Sequence, residues 1–173
     1  MELLGEFFEQ DLDISPNGEK EVRYGVRKAV RAVIFNGDGE IAVLYMSQEG
    51  YHKLPGGGVE KGENLGQSLE REIREETGYG IETRPGSVGA IIEYRDTAAL
   101  LQISYCYLAD IVGEQTVTAF TEEEIKHGAE LEWMRPEDAL RAMEKDAPTD
   151  YACQFIRRRD LLFLQKAQEI LNG

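Results

Sequence analysis

GGGVEKGENLGQSLEREIREETGYGI, residues 56–81, sets a glycine-rich turn ahead of a helix that carries Glu72, Glu75 and Glu76 near its end. Positions i, i+3 and i+4 share one helical face, so the three carboxylates converge. Asn64 reads as the N-cap, with Gln67 as its reciprocal partner, and Gly78 as the left-handed residue that stops the helix. Glu70–Arg74 and Arg71–Glu75 have the i, i+4 spacing of ordinary surface ion pairs, which alone would describe a solvated face. Two details speak for more. Negative charge at a helix C-terminus costs about 0.3–1 kcal/mol per group, and Glu72 and Glu76 are a like-charge i, i+4 pair. They also flank or continue the apolar stripe Leu65, Leu69, Ile73. Carboxylates on the packed side of a helix break the local pattern, and such breaks mark functional sites. The compensating charge expected there is a hard divalent cation with oxygen ligands, used to handle phosphate.

Working outward, VRKAVRAVIF (26–35) reads as a strand, Asn36-Gly37-Asp38-Gly39 as a hairpin turn and IAVLYM (41–46) as the return strand. Leu54-Pro55 closes a short extended piece before the glycines. Strands are expected at about 88–94, 100–112 and 130–134. Pro136 opens a helix reaching about Glu144, and Tyr151–Leu171 forms a longer last one. Residues 1–10 suit a strand or short helix, and Ser15-Pro16-Asn17-Gly18 a turn. Elements interleave without a regular βαβ rhythm, which points to an α/β (α+β) mixed sheet sandwiched between helices. A single domain over 1–173 is expected, with residues 1–25 as an extension able to supply a homodimer interface.

The composition is that of a soluble protein, with 33 acidic against 19 basic residues and a net charge of −14. That field repels nucleic-acid backbones and excludes duplex binding as the main role. A polyphosphate would need a metal ion or local arginines to be held. No stretch is long and apolar enough for a membrane helix, and MELLGEFFEQDLDIS lacks a secretory layout, so a cytoplasmic location is expected. Cys106 and Cys153 are too few for a disulfide framework and read as buried apolar groups.

Gly57, five residues, Glu63, seven residues, Arg71-Glu72-Ile73, one residue, Glu75-Glu76, one residue, Gly78-Tyr79 resembles the complete Nudix box of the MutT-like hydrolases. Leu54-Pro55-Gly56 resembles the family's lead-in, and Tyr79 is a mild variant at the last apolar slot. The resemblance implies the Nudix α/β/α sandwich and a fixed set of roles. Glu72, Glu75 and Glu76, with the carbonyl of Gly57, would bind Mg²⁺ or Mn²⁺. Glu72 would also serve as base, Arg71 would orient a catalytic glutamate and Glu63 would hold Arg71. Relatives draw a further acid from a later loop, and Glu124 in TEEEIKHGAELEWM is the candidate here, beside the reading of an acidic loop or helix start. The implied reaction cleaves a nucleoside diphosphate linked to another group. A nucleoside triphosphate pyrophosphohydrolase is favoured. The alternatives are ADP-ribose or nucleotide-sugar hydrolysis, and a nucleotide-sensing module without turnover.

Substrate signals downstream of the box are missing: the position of the ADP-ribose proline holds Tyr94-Arg95, and Tyr94 falls short of the dinucleoside polyphosphate tyrosine. Candidate phosphate contacts are Arg27 and Arg31, which share a strand face, and Arg95; the alternative for the first two is solvent-facing alternation. His52 is placed to stack near a pocket or to sit on a surface loop. Arg157-Arg158-Arg159 borders an apolar stripe and reads as docked packing, and Trp133 as core.

Overall fold

The computed structural model describes residues 1–12, 14 and 21–173. In chain order they form β1 (Leu3–Phe8), β2 (Gly25–Phe35), β3 (Ile41–Met46), β4 (Tyr51–Lys53), α1 (Leu65–Thr77), β5 (Gly80–Thr83), β6 (Gly89–Arg95), β7 (Leu100–Val112), α2 (Glu122–Lys126), β8 (Ala129–Met134), α3 (Pro136–Lys145) and α4 (Tyr151–Asn172). The turn expected at Ser15–Gly18 lies outside the described residues.

The strands make one mixed sheet in the order β1-β6-β7-β2-β3-β4, with β5 also on β7 and β8 also on β3. Its spine is the parallel pairing of β2 with β7, in register from Gly25↔Leu100 to Phe35↔Asp110. Period-2 alternation along β2 divides the core. Val30, Ala32 and Ile34 pack with Leu69 and Ile73 of α1 on one face. Val33 and Phe35 pack with Met143 of α3 and Phe155, Phe163 and Leu164 of α4 on the other. Each such buried aliphatic or aromatic side chain contributes roughly 1.5–3 kcal/mol. The result is an α/β/α sandwich.

The hairpin after β2 forms as expected, the Asn36 N–H donating to the Glu40 carbonyl at 2.9 Å. Helix α1 has both anticipated ends. Asn64 accepts from the Gln67 N–H in a full capping box, and Gly78 adopts φ 77°. A side chain at Gly78 would also collide with the Thr116 carbonyl. The region expected to precede the core contributes to it: β1 runs parallel to β6, and Phe7 is buried against α4. Strand β5, four residues long, escaped the sequence reading, whereas α2, five residues long with Thr121 as its N-cap, realises the helix start offered for the Glu122–Glu124 segment. Both cysteines are free and buried. Among the described residues no helix is long and apolar enough to cross a membrane.

Candidate active site

Three backbone connections place the glycine turn against β2. Ala32 N–H donates to the Pro55 carbonyl at 3.1 Å, Val30 N–H to that of Gly57 at 2.9 Å, and Val59 N–H to that of Lys28 at 2.9 Å. The turn is thus stitched along the strand that carries Arg27 and Arg31, and faces the C-terminal half of α1. A cleft of about 550 Å³ opens there, lined among others by Arg27, Arg31, Lys53, Gly57, Glu72 and Glu124.

Glu72 lies so close to the turn that a Cβ on Gly57 would overlap its carboxylate. Arg71 donates to Glu72 at 2.9 Å and to Glu75 at 3.3 Å, and its other edge is gripped by Glu63 at 2.8 and 3.0 Å and by the Gly58 carbonyl at 3.1 Å. This bidentate fork is the geometry in which a guanidinium fixes a carboxylate most firmly. Burial raises the Glu72 carboxyl above its ordinary value, against the opposing pull of Arg71. Glu63, hydrogen-bonded first by Arg71 and then by Ser68, is held down to about 2.

Glu76 continues the buried stripe of α1 and accepts the Gly56 N–H at 2.5 Å. Lys53 places its ammonium between Glu76 and Glu124, 3.3 Å from each. Burial pushes the Glu76 carboxyl up to about 8, opposed by Lys53 and supported by neighbouring Glu124. Burial acts to raise Glu124 too, but the hydrogen bond with Glu76, Lys53 and the Thr121 donors outweigh it and hold it down to about 2. The two carboxyls are thus shifted in opposite directions, Glu76 up and Glu124 down.

The donor chemistry suits a hard cation. Glu72, Glu76, Glu124 and the turn carbonyls are all oxygen ligands of the kind Mg²⁺ and Mn²⁺ take, and the Lys53 ammonium shows that a positive charge is accepted between two of them. Among the described residues no three acids, histidines or cysteines are gathered around one point; Arg71 pairs with Glu72 and Lys53 with Glu76. The Gly57 carbonyl accepts from Val30, whereas that of Gly56 accepts no hydrogen bond among the described residues. Glu75 is more exposed and is held by Arg71.

Of the four residues expected to touch substrate, two line the cleft and two do not. Arg27 packs beside Gly58, and Arg31 is buried at the cleft wall rather than facing solvent. His52 corrects the stacking expectation. Alternation along β4 sends Tyr51 and Lys53 to the cleft and turns His52 to the other side, where its ring lies 4.8 Å from that of Tyr45 and bonds Asp146 at 2.9 Å. Arg95 is likewise outside the cleft. It points beneath α4, donates to Glu93 at 3.1 Å and lies over the Phe155 ring. Lys53, Tyr51 and His127 line the cleft without having been singled out for it. Trp133 is half-buried edge-on to Tyr79, and Arg157 caps the α3 carbonyls of Met143 and Glu144.

Glu63→Gln is expected to lower kcat roughly 10–100-fold by freeing Arg71, with KM little changed. A carboxyl whose folded value is depressed stabilises the fold above its unfolded value near 4 and loses that contribution as pH falls towards 2. Acid melts of wild type should therefore drop more steeply over that window than those of the variant; parallel curves would refute the assigned grip.

The family profile described as NUDIX domain matches residues 25–154. Diphosphoinositol polyphosphate phosphohydrolase 2 of Rattus norvegicus is 27% identical over 129 residues, covering 73% of this chain and 68% of that protein; the Homo sapiens protein of the same name is 26% identical, with 73% and 67% covered. Among solved structures, a MutT protein from Methanosarcina mazei Go1 aligns with a TM-score of 0.59 at 22% identity, over 86% of this chain and 98% of that one. The C. elegans Ap4A hydrolase aligns with a TM-score of 0.58 at 19% identity, over 85% and 99%. These structural likenesses extend the sandwich fold across most of the chain.

Proposed function

The chain belongs to the NUDIX family of hydrolases acting on phosphoanhydride bonds, and on that premise we propose that it hydrolyses a nucleoside diphosphate linked to another group, with Mg²⁺ or Mn²⁺ as cofactor and a nucleoside triphosphate as the favoured substrate. The observation that carries this is the cleft that sets Arg27 and Arg31 against Glu72 and the glycine turn. When bound, the divalent cation neutralises phosphate charge and lowers the pKa of water. Glu72, Glu76 and Glu124 would hold it, with a turn carbonyl and Glu75 as further donors. Glu72, desolvated yet fixed by Arg71, is placed to take a proton from attacking water. Glu63 keeps Arg71 from swinging away. Arg27 and Arg31 meet the phosphates that are not attacked.

Charge balance supports a nucleotide over a heavily phosphorylated ring. Beside Arg27, Arg31 and Lys53 the cleft also shows Glu49, Glu123 and Asp150, acids that would oppose further phosphates. The test is a panel of nucleoside triphosphates, ADP-ribose, dinucleoside polyphosphates and a diphosphoinositol polyphosphate, each with Mg²⁺. Nucleoside monophosphate and pyrophosphate from a triphosphate are expected. Absence of cleavage across the panel would overturn the hydrolytic reading, and preference for the inositol compound would overturn the substrate choice.

A further inference from the structure

Beneath α4 a seam of buried polar groups crosses the sheet and ends at the cleft. Glu93 on β6 accepts from Arg95 at 3.1 Å and from Gln102 at 2.8 Å, and stands 3.6 Å from Arg159. Arg159 Nε donates to Asp160 Oδ1 at 2.7 Å, and the same oxygen lies 4.0 Å from Nε of Arg31. The second Asp160 oxygen accepts the Leu54 N–H at 3.0 Å. Asp160 and Arg159 are fully buried, and nothing in the hydrolytic reading uses either.

The seam is out of balance. Arg31, Arg95 and Arg159 oppose only Glu93 and Asp160 among its described members, and Nε of Arg31, Nε of Arg95 and both terminal nitrogens of Arg159 lack hydrogen-bond partners. Burying an arginine without full pairing is costly, so the surplus charge has to be matched from elsewhere. Arg31 is the member that reaches the cleft, where the fields of Glu72 and Glu76 also act on it.

Asp160 also governs the turn. Leu54, Pro55 and Gly56 hang between β2, which holds the Pro55 carbonyl, and α4, which holds the Leu54 N–H through Asp160. Pro55 has no N–H to offer, and Gly56 spends its own on Glu76. The Asp160 carboxylate is thus common to the arginine that meets phosphate and the turn that seats Glu76.

We propose that Asp160 is a positioning residue for the hydrolysis, one oxygen tethering the Leu54–Gly56 turn and the other anchoring the Arg31 guanidinium at the cleft wall. The inference rests on the hydrolytic reading and on Arg31 as a phosphate contact.

The two oxygens separate in kinetics. Asp160→Asn keeps an acceptor for Leu54 but loses the ion pair that anchors Arg31, and the displaced guanidinium is expected to raise KM about tenfold with kcat held within about threefold. Asp160→Ala removes both and should lower kcat about tenfold as well. In a cycle with Arg31→Met, the double variant should have a KM no more than about threefold above the worse single one. The substrate is whichever panel compound wild type cleaves fastest with Mg²⁺. A KM unchanged in Asp160→Asn, or effects that multiply in the double variant, would reduce Asp160 to a structural ion pair. If wild type cleaves nothing, the hydrolytic reading fails on its own, and the same cycle is read as Kd for a methylene-bridged ATP analogue; additive losses, or no binding by wild type, overturn the proposal. If Asp160→Asn does not fold by circular dichroism, Asp160→Glu, which keeps the charge but displaces both oxygens, takes its place with the same expected rise in KM.

Discussion

Gly57→Ala is expected to reduce kcat/KM at least about 100-fold while moving Tm by only a few degrees. A Cβ at this position would occupy the space of the Glu72 carboxylate, so that side chain must move. Displacement of a reacting group by about 1 Å can cost about 10²-fold. The fold should tolerate the change, because Gly57 is outside the left-handed region and the colliding atoms end a flexible side chain. Gly56 supplies the contrast. It has φ 130°, and a Cβ there would strike the Val30 backbone, so Gly56→Ala should lower Tm as well as activity. Steady-state kinetics beside thermal melts checks both. Full activity in Gly57→Ala would mean that Glu72 does not work from its observed place.

Glu76→Gln should lower kcat about 10³-fold and abolish the rise in Tm that Mg²⁺ gives the wild type. The amide retains an acceptor for the Gly56 N–H, so the turn stays in place and the loss reports on charge. The variant also tests the pH behaviour of the metal-free chain. Burial raises Glu76 to about 8, so between about pH 4 and 8 the folded chain holds a proton that the unfolded chain releases. That contribution is complete below about pH 4 and is lost as pH rises to 8. Melts in a chelator should show wild-type Tm falling across this window relative to Glu76→Gln. Metal binding needs the deprotonated carboxylate, so the Mg²⁺-induced gain in wild type should grow with pH. Matching pH profiles for the two proteins would contradict the assigned protonation.

Local chemistry was the legible part of this molecule. The Asn64 cap, the Gly78 stop and the 36–39 hairpin all depend on residues a few positions apart, and the structure reproduces each. Helix ends and tight turns are set by side chains reaching their own backbone, which spacing captures. Parity in β4 was not legible. With only three residues, its alternation cannot be phased, so His52 stays between pocket and surface loop and Lys53 is not singled out. Arg95 failed for a related reason, since its face depends on β6 pairing with β7 and β1. Asp160 was invisible because its partner Leu54 is 106 positions away; the neighbouring Arg157-Arg158-Arg159 reads as docked packing, which names no partner for the acid that follows.

The segment between β7 and α2 lies fastened along the end of α1. Gln115 donates to the Thr77 carbonyl at 3.1 Å, Thr116 donates twice to that of Gly78 at 2.8 Å, and Ala119 donates to that of Glu75 at 2.7 Å. These bonds close a wandering connection into fixed steps, so the few residues from Ala119 to Glu124 act as a ruler between two carboxylates on different elements. Natural variation in length should then be distributed unevenly. Extra residues at the open turn of Gly113 can bulge into solvent, whereas one added between Ala119 and Thr121 would carry Glu124 out of reach of Glu76.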